Sequence, residues 1–203
     1  MKVSISWLKE LVDLNCSVEE MINLLPLRSV SIKDVKDNSI ELDMKGYNRA
    51  DLLSMRGVAL EVAAITGSKV LFNEPYEAEF VWNKQKLPNT KVTVSNPDFA
   101  PFYTITKITG LKVGKSPQSW VKKLEESGMR SVDNITDVTN LIMLEYGQPM
   151  HTFDARAVKD EAIIVRTAKS GERITTLDGK TKDLQTSDSL IADQLNPLGI
   201  AGV

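Results

Sequence analysis

The chain changes its hydrophobic period early, and that change limits what it can fold into. Val30-Ser-Ile-Lys-Asp-Val35 and Ser39-Ile-Glu-Leu-Asp-Met44 place an apolar residue at every second position, the spacing of half-buried strands, with Asp37-Asn38 as the turn between them. After Gly46 the spacing becomes three, four and three through Leu52, Met55, Ala59 and Val62, which predicts an amphipathic helix over 51–66 ended by Gly67. Upstream, Trp7, Leu8 and Leu11 share one side of a short first helix, and Ser17 with Glu20 forms a capping box ahead of Met21, Leu24 and Leu25. Helix and strand signals thus share one segment, as in an α+β fold.

Residues 70–90 carry two prolines and several Asn and Lys residues with little periodicity, the composition of a boundary. The division it suggests is a small α+β domain over 1–70, a linker over 71–84 and a second domain over 85–203. In the second part, Lys91-Val-Thr-Val-Ser and Tyr103-Thr-Ile-Thr-Lys-Ile-Thr are β-branched at alternate positions and read as strands. Ser116 is expected to cap a helix that starts at Pro117, buries Trp120, Val121 and Leu124, and stops before Gly128. A further helix runs from near Asp133 to Gly147. Ala162-Ile-Ile-Val-Arg, Arg173-Ile-Thr-Thr-Leu and Ser189-Leu-Ile-Ala-Asp are short strands, with Asp178-Gly179 as a hairpin turn. This makes the second part α+β with a mainly antiparallel or mixed sheet. Leu198-Gly-Ile-Ala-Gly-Val ends in an apolar, strand-like run, so the chain reads as cut through a sheet; whether that edge stays monomeric or pairs in a dimer is left open.

Composition removes several classes of function. With one cysteine, Cys16, and one histidine, His151, the chain can form no internal disulfide and no ordinary Cys/His zinc site. No run approaches the ~18 apolar residues of a membrane span, and charges interrupt the first ten residues where a secretory signal needs an apolar centre; the expectation is a soluble, cytoplasmic protein. Twenty-five basic against twenty-seven acidic side chains give a net charge of −2, too little positive charge for a domain that grips nucleic acid unaided. The one basic stretch, Lys107 to Arg130, is either an RNA-facing strip or an ordinary charged face.

Chemistry concentrates between Gly128 and Asp154, where Arg130, Asn134, Asp137, Asn140, Glu145, Gln148 and His151 stand close in sequence. Asp137 and Asn140 are three apart and flank one helical face, while Ile135, Val138 and Ile142 are expected to form the buried stripe. Singly, each polar residue has an ordinary reading: Arg130 a solvated charge, Asn140 a turn or surface group, His151 a structural histidine.

Together they form an ordered series: Arg130-Ser-Val-Asp-Asn134, Asp137-Val-Thr-Asn140 and Met143-Leu-Glu-Tyr-Gly-Gln-Pro-Met-His151-Thr-Phe-Asp154. The series resembles the tRNA-editing domain of bacterial-type phenylalanyl-tRNA synthetase beta subunits. Asn48-Arg-Ala-Asp-Leu-Leu-Ser, Gly57 with Glu61-Val-Ala-Ala, Thr176-Leu-Asp-Gly, and Ile191-Ala-Asp through Ala201-Gly-Val extend the likeness over nearly the whole chain. Ala50 and Ser131 replace prolines usual in that family, and its oligonucleotide-binding barrel, normally inserted ahead of Asn48, is absent.

The resemblance implies an editing module that hydrolyses tyrosine wrongly attached to phenylalanine tRNA, with aminoacylation left to an alpha subunit in an α2β2 heterotetramer. It implies no cofactor for this segment, ATP and Mg for the whole enzyme, and no membrane partner. Carried over by position, Arg130, Asn140 and His151 are the catalytic candidates, and Gly202, Thr139 and Gln148 the substrate-binding ones. His151 would position the terminal ribose or the attacking water, the role favoured here, or act as general base. Arg130 would hold the terminal adenosine or a phosphate, or brace the pocket, and Asn140 would offer an oriented amide. The family's glutamate for the phenolic hydroxyl falls past Val203, which predicts weak tyrosine selectivity. The alternative is a non-catalytic structural or tRNA-binding piece with an incomplete pocket.

Overall fold

A computed structural model describes residues 1–73, 91–101 and 103–201. Packing gathers the chain into two units that do not follow sequence order: residues 1–81 with 112–152, and residues 82–111 with 153–203. The architecture is α+β with mostly antiparallel sheets.

In the first unit, strands β1 (Lys2–Ser4), β3 (Ile32–Lys36) and β4 (Ser39–Leu42) form an antiparallel sheet in the order β1-β4-β3, with Val3 opposite Ile40 and Val35 opposite Ile40 on the other side. A two-residue ladder joins β2 (Val12–Asp13) to β5 (Lys69–Val70). Five helices surround this frame: α1 (Ile5–Leu11), α2 (Val18–Arg28), α3 (Met55–Thr66), α4 (Gln118–Glu126) and α5 (Asn134–Tyr146). Ser17 caps α2 as its sequence predicts, its Oγ accepting the Glu20 N–H. Trp7, Leu8, Met21, Leu25, Met55, Val62 and Leu124 meet in one continuous core. Glu126, at the end of α4, accepts hydrogen bonds from Ser4 and Ser6 at the start of α1 (2.5 and 2.6 Å), joining segments some 120 residues apart.

The helix expected over 51–66 begins later. Ala50–Leu53 is a 3-10 turn, and Ser54 then caps α3, its Oγ accepting the Gly57 N–H at 3.0 Å. Only glycine suits position 57, because a Cβ there would stand 1.9 Å from the Asp51 carbonyl oxygen. Arg49 clamps this corner with bonds to Asp51 and to Glu61 on α3. The Asn-Arg-Ala-Asp segment and the distant Gly57 and Glu61 are therefore one folding device.

In the second unit, β6 (Lys91–Val94), β7 (Ala162–Thr167), β10 (Ser189–Ala192) and β11 (Pro197–Ile200) form a sheet in the order β11-β10-β7-β6. Only β6 and β7 are parallel, with Lys91 opposite Ala162. The hairpin of β8 (Arg173–Thr175) and β9 (Thr181–Asp183) turns at Asp178-Gly179 as read from the dipeptide. Its cluster of buried apolar residues is small: Ala168, Ile174, Leu184 and Leu190, with Ile200 packed against them.

Two sequence expectations are corrected here. Residues 103–109 alternate in exposure as a strand would, yet they join no ladder among the described residues; a period of two gives an extended chain but does not supply a partner. Ser116 does not cap α4. The N-cap position is Pro117, without a side-chain cap bond, and the Ser116 hydroxyl is drawn instead to Asp137. Of the expected 71–84 linker, residues 74–84 lie outside the described residues.

Candidate functional site

The candidate residues ride on α5 and the loops at its two ends. α5 is well specified locally: Asp133 accepts the N–H groups of Ile135 and Thr136 (both 2.9 Å), and Gly147 closes the helix in the left-handed region at φ 77°. A Cβ on Gly147 would also press within 3.2 Å of the Ser54 Cβ.

The buried side of α5 is not the expected one. Val138 is 36% exposed and Ile135 and Ile142 are half-buried, whereas Asp137 is fully buried with Thr139 and Leu141. This correction has an electrostatic cause. The Asp137 carboxylate accepts hydrogen bonds from the hydroxyls of Ser116 (2.5 Å) and Ser131 (2.6 Å) and from the Val132 N–H (2.9 Å). Burial pushes its carboxyl up, but these three donors outweigh that and hold it below its ordinary value. A charge that satisfied can occupy an interior position that an apolar side chain would otherwise take.

Asn134 works beside it. Its Oδ1 accepts the Gly114 N–H (2.9 Å) and its Nδ2 donates to the Lys112 carbonyl (3.0 Å). Between them Asn134 and Asp137 pin residues 112–116 and 131–132 onto the first turn of α5. At the far end, Glu145 pairs with Arg56 of α3 (3.0 Å), whose guanidinium lies over the rings of Phe72 and Tyr146 (4.5 and 4.2 Å).

Much of the polar motif is therefore committed to architecture. Thr139 is buried and donates its hydroxyl to the Thr136 carbonyl (2.8 Å), leaving only acceptor capacity. Arg130 is exposed on the loop before α5, and Asn140 is half-buried on the helix; neither side chain has a hydrogen-bond or ion-pair partner among the described residues. Gln148 and His151 are exposed beyond Gly147. The structure joins Thr139 and Asn140 as helix neighbours, and it anchors Arg130 and His151 to opposite ends of a helix about 20 Å long at 1.5 Å per residue. Gly202 lies outside the described residues. Sequence reasoning named Asp137 and Asn134 only as part of a motif; Ser116 and Ser131, loop serines outside the N-cap positions of α4 and α5, were the available sign that a carboxylate was being satisfied from loops.

In the second unit the motif residue Asp193 and an ion pair outside the motifs are also structural. Asp193 is buried and accepts the N–H groups of Lys159, Leu195 and Asn196; burial raises its carboxyl and the three amides bring it below the ordinary value. Arg166 and Glu172 make a two-pronged pair at 2.8 and 2.6 Å. The Arg166 guanidinium holds the Glu172 carboxyl down at about 2, against the opposing effect of burial. Among the described residues no group of three or more His, Cys, Asp or Glu side chains is placed to hold a metal, and no helix is long and apolar enough to cross a membrane.

Residues 100–203 match the family model described as B3/4 domain. Over 172 residues the chain is 41% identical to the phenylalanine–tRNA ligase beta subunit of Carboxydothermus hydrogenoformans, taking in 85% of this chain and 21% of that relative. The beta subunit of Geobacter sulfurreducens is 39% identical over 169 residues, 83% of this chain and 21% of its own length. That of Streptococcus agalactiae serotype Ia is 40% identical over 173 residues, 85% of this chain and 21% of its own. The chain thus spans about a fifth of the length of the curated relatives it matches.

Proposed function

Because the chain belongs to the B3/4-domain family, we propose that it is an editing module that hydrolyses tyrosine esterified to phenylalanine tRNA. The observation that carries this reading is the division of labour along α5. Asp133, Asn134, Asp137 and Glu145 are committed to holding the fold, while Arg130 and Asn140 keep their side chains unengaged among the described residues on a frame that those bonds make rigid.

Tyrosine differs from phenylalanine by one hydroxyl, and an apolar synthetic pocket rejects such an analogue only about a hundredfold. A second site that hydrogen-bonds the hydroxyl inverts the choice, since phenylalanine there leaves buried polar groups unpaired. The hydrolysis adds water to the ester carbonyl, releases the ribose hydroxyl and yields free tyrosine and intact tRNA. In this reading His151 positions the terminal ribose or the water, Arg130 holds a phosphate or the terminal adenosine, and Asn140 orients the ester with its amide. Thr139 and Gln148 are the substrate-binding residues of this reading, with Gly202 the further candidate that lies outside the described residues. In this reading the editing domain runs over residues 85–203 and residues 1–70 are a supporting domain, with the 112–152 segment that carries the candidate residues packed on residues 1–81. Within a whole beta subunit the partners are an alpha subunit, in an α2β2 assembly, and phenylalanine tRNA; ATP and Mg serve aminoacylation there, in the cytoplasm, and no cofactor serves this segment.

Deacylation of tyrosyl phenylalanine tRNA by this chain tests the proposal. His151→Ala and Arg130→Ala are each expected to slow it about 10- to 100-fold, in the range that a misplaced reactant costs, without unfolding the chain. Wild-type rates at background would instead favour a non-catalytic tRNA-binding piece.

A further inference from the structure

The six basic residues between Lys107 and Arg130 do not act alike. Lys107 is paired with Glu161 (2.6 Å), Lys122 with Glu126 (3.8 Å) and Lys123 with Glu10 (2.5 Å). Lys112, Lys115 and Arg130 have no ion-pair partner among the described residues, and all three are exposed. They also stand on the two segments that α5 holds together. Lys112 gives its carbonyl to Asn134, and Lys115 and Arg130 immediately precede Ser116 and Ser131, whose hydroxyls reach the same Oδ2 of Asp137. Bonds of 2.5 and 2.6 Å to one oxygen bring those two hydroxyls within about 5 Å of each other.

The acids of this cluster are engaged by donors of their own segment. Asp137 is buried on its three donors, and Asp133 is occupied by the N–H groups of Ile135 and Thr136 and the Thr136 hydroxyl. Between the cations, Val113 and Val132 stand 67% and 60% exposed. A merely solvated charged face has no use for open valines among its lysines, whereas a surface that meets phosphates with cations and sugars or bases with apolar groups has use for both.

We propose that Lys112, Lys115 and Arg130, set by the Asp137 and Asn134 clamp, form a surface that binds the phosphodiester backbone of RNA. The surface adds to the editing reading an account of how a chain of net charge −2 holds its RNA: a local trio of unpaired cations, not an overall excess. It rests on that reading for the choice of RNA as partner but not for any turnover.

The test is binding of a deacylated phenylalanine tRNA transcript to the full chain across a salt series. Each phosphate contact contributes about 0.7–0.9 to the slope of log affinity against log salt. Lys112→Ala/Lys115→Ala is expected to lower that slope by about 1.4–1.8, so its loss of affinity is about tenfold larger at 50 mM than at 200 mM salt. A control, Lys169→Ala/Lys182→Ala, removes two exposed lysines of the second unit and is expected to leave the slope unchanged. An unchanged slope in the first variant, or an equal fall in the control, overturns the inference. So does capture of poly-glutamate through Lys112 and Lys115 with no RNA binding, which would make the surface one for an acidic protein. Because the transcript carries no amino acid, a chain that binds it through these lysines but hydrolyses nothing would refute the editing reading and leave this one standing.

Discussion

The two units bury their segments by different means. In the first, Trp7, Leu8, Met21, Leu25, Met55 and Leu124 meet in a core that runs from the amino-terminal strand to α5, and most of its ion pairs sit at the rim. In the second, the apolar cluster shrinks to Ala168, Ile174, Leu184 and Leu190, and polar stitches lie close to it: the Arg166–Glu172 pair, with side chains 12% and 13% exposed, and Asp193 on its three amides. Burial of apolar area is additive and tolerant of geometry, whereas a buried charge stabilises only while every partner is in place. The second unit should therefore fail sharply at these polar positions, and in the first unit the same sensitivity should fall on the buried Asp137 carboxylate with its three donors while the apolar core absorbs most other changes.

Core truncation gives the largest expected effect. Trp7→Ala should cost about 3–5 kcal/mol and Leu190→Ala about 2–5 kcal/mol, both read from urea unfolding. Equal costs from every polar substitution in both units would break the contrast. Next comes Arg166→Ala, expected to cost about 3 kcal/mol because Glu172 is left largely buried without its cation; hydrogen exchange should localise that loss to β7 and β10. The companion effect is one of pH. Glu172 has its carboxyl lowered from an ordinary 4.5 to about 2, so the folded state binds its proton less readily than the unfolded chain does. The stability it contributes is fully present above about pH 4.5 and is lost as pH falls toward 2. Glu172→Gln should flatten that part of a stability–pH curve, and a curve of unchanged slope would sink the assignment.

Asp137→Asn comes after these, at about 2 kcal/mol, since the amide replaces one of the two accepting oxygens with an NH2, either the one that takes both serine hydroxyls or the one that takes the Val132 N–H, and removes the charge that strengthens all three bonds. It sharpens the comparison by asking whether the first unit has one polar point as sensitive as those of the second. The smallest effect on stability belongs to Arg130→Ala, within about 0.5 kcal/mol for an exposed side chain, measured by thermal melting beside the deacylation rate. A large loss of stability there would place Arg130 in the architecture instead of the site.

Part of this molecule was legible in its residues. The Ser17 cap, the strand pair β3 and β4, the Gly67 and Gly147 helix ends and the Asp178-Gly179 turn are all local signals, although β3 does not alternate in burial and leaves Val35 46% exposed. The family resemblance was legible for a similar reason, because an ordered run of polar residues survives in sequence whatever each one does. What each does was not legible. Ile135, Val138 and Ile142 have the spacing of a buried stripe, yet Asp137 takes the interior position because Ser116 and Ser131, far apart along the chain, converge on it. Residues 103–109 have a strand's alternation, yet a ladder also needs a neighbouring edge.

The sequence by itself determined most of the helices and paired strands, the absence of an internal disulfide, and the family resemblance of the 128–154 stretch, since these depend on local propensity and residue inventory. Only the tertiary structure decided which polar residues of that stretch are spent and which are open. A side chain's availability depends on donors brought from elsewhere in the chain: Arg56 to Glu145, Ser116 to Asp137, and Asn134 reaching back to Lys112 and Gly114.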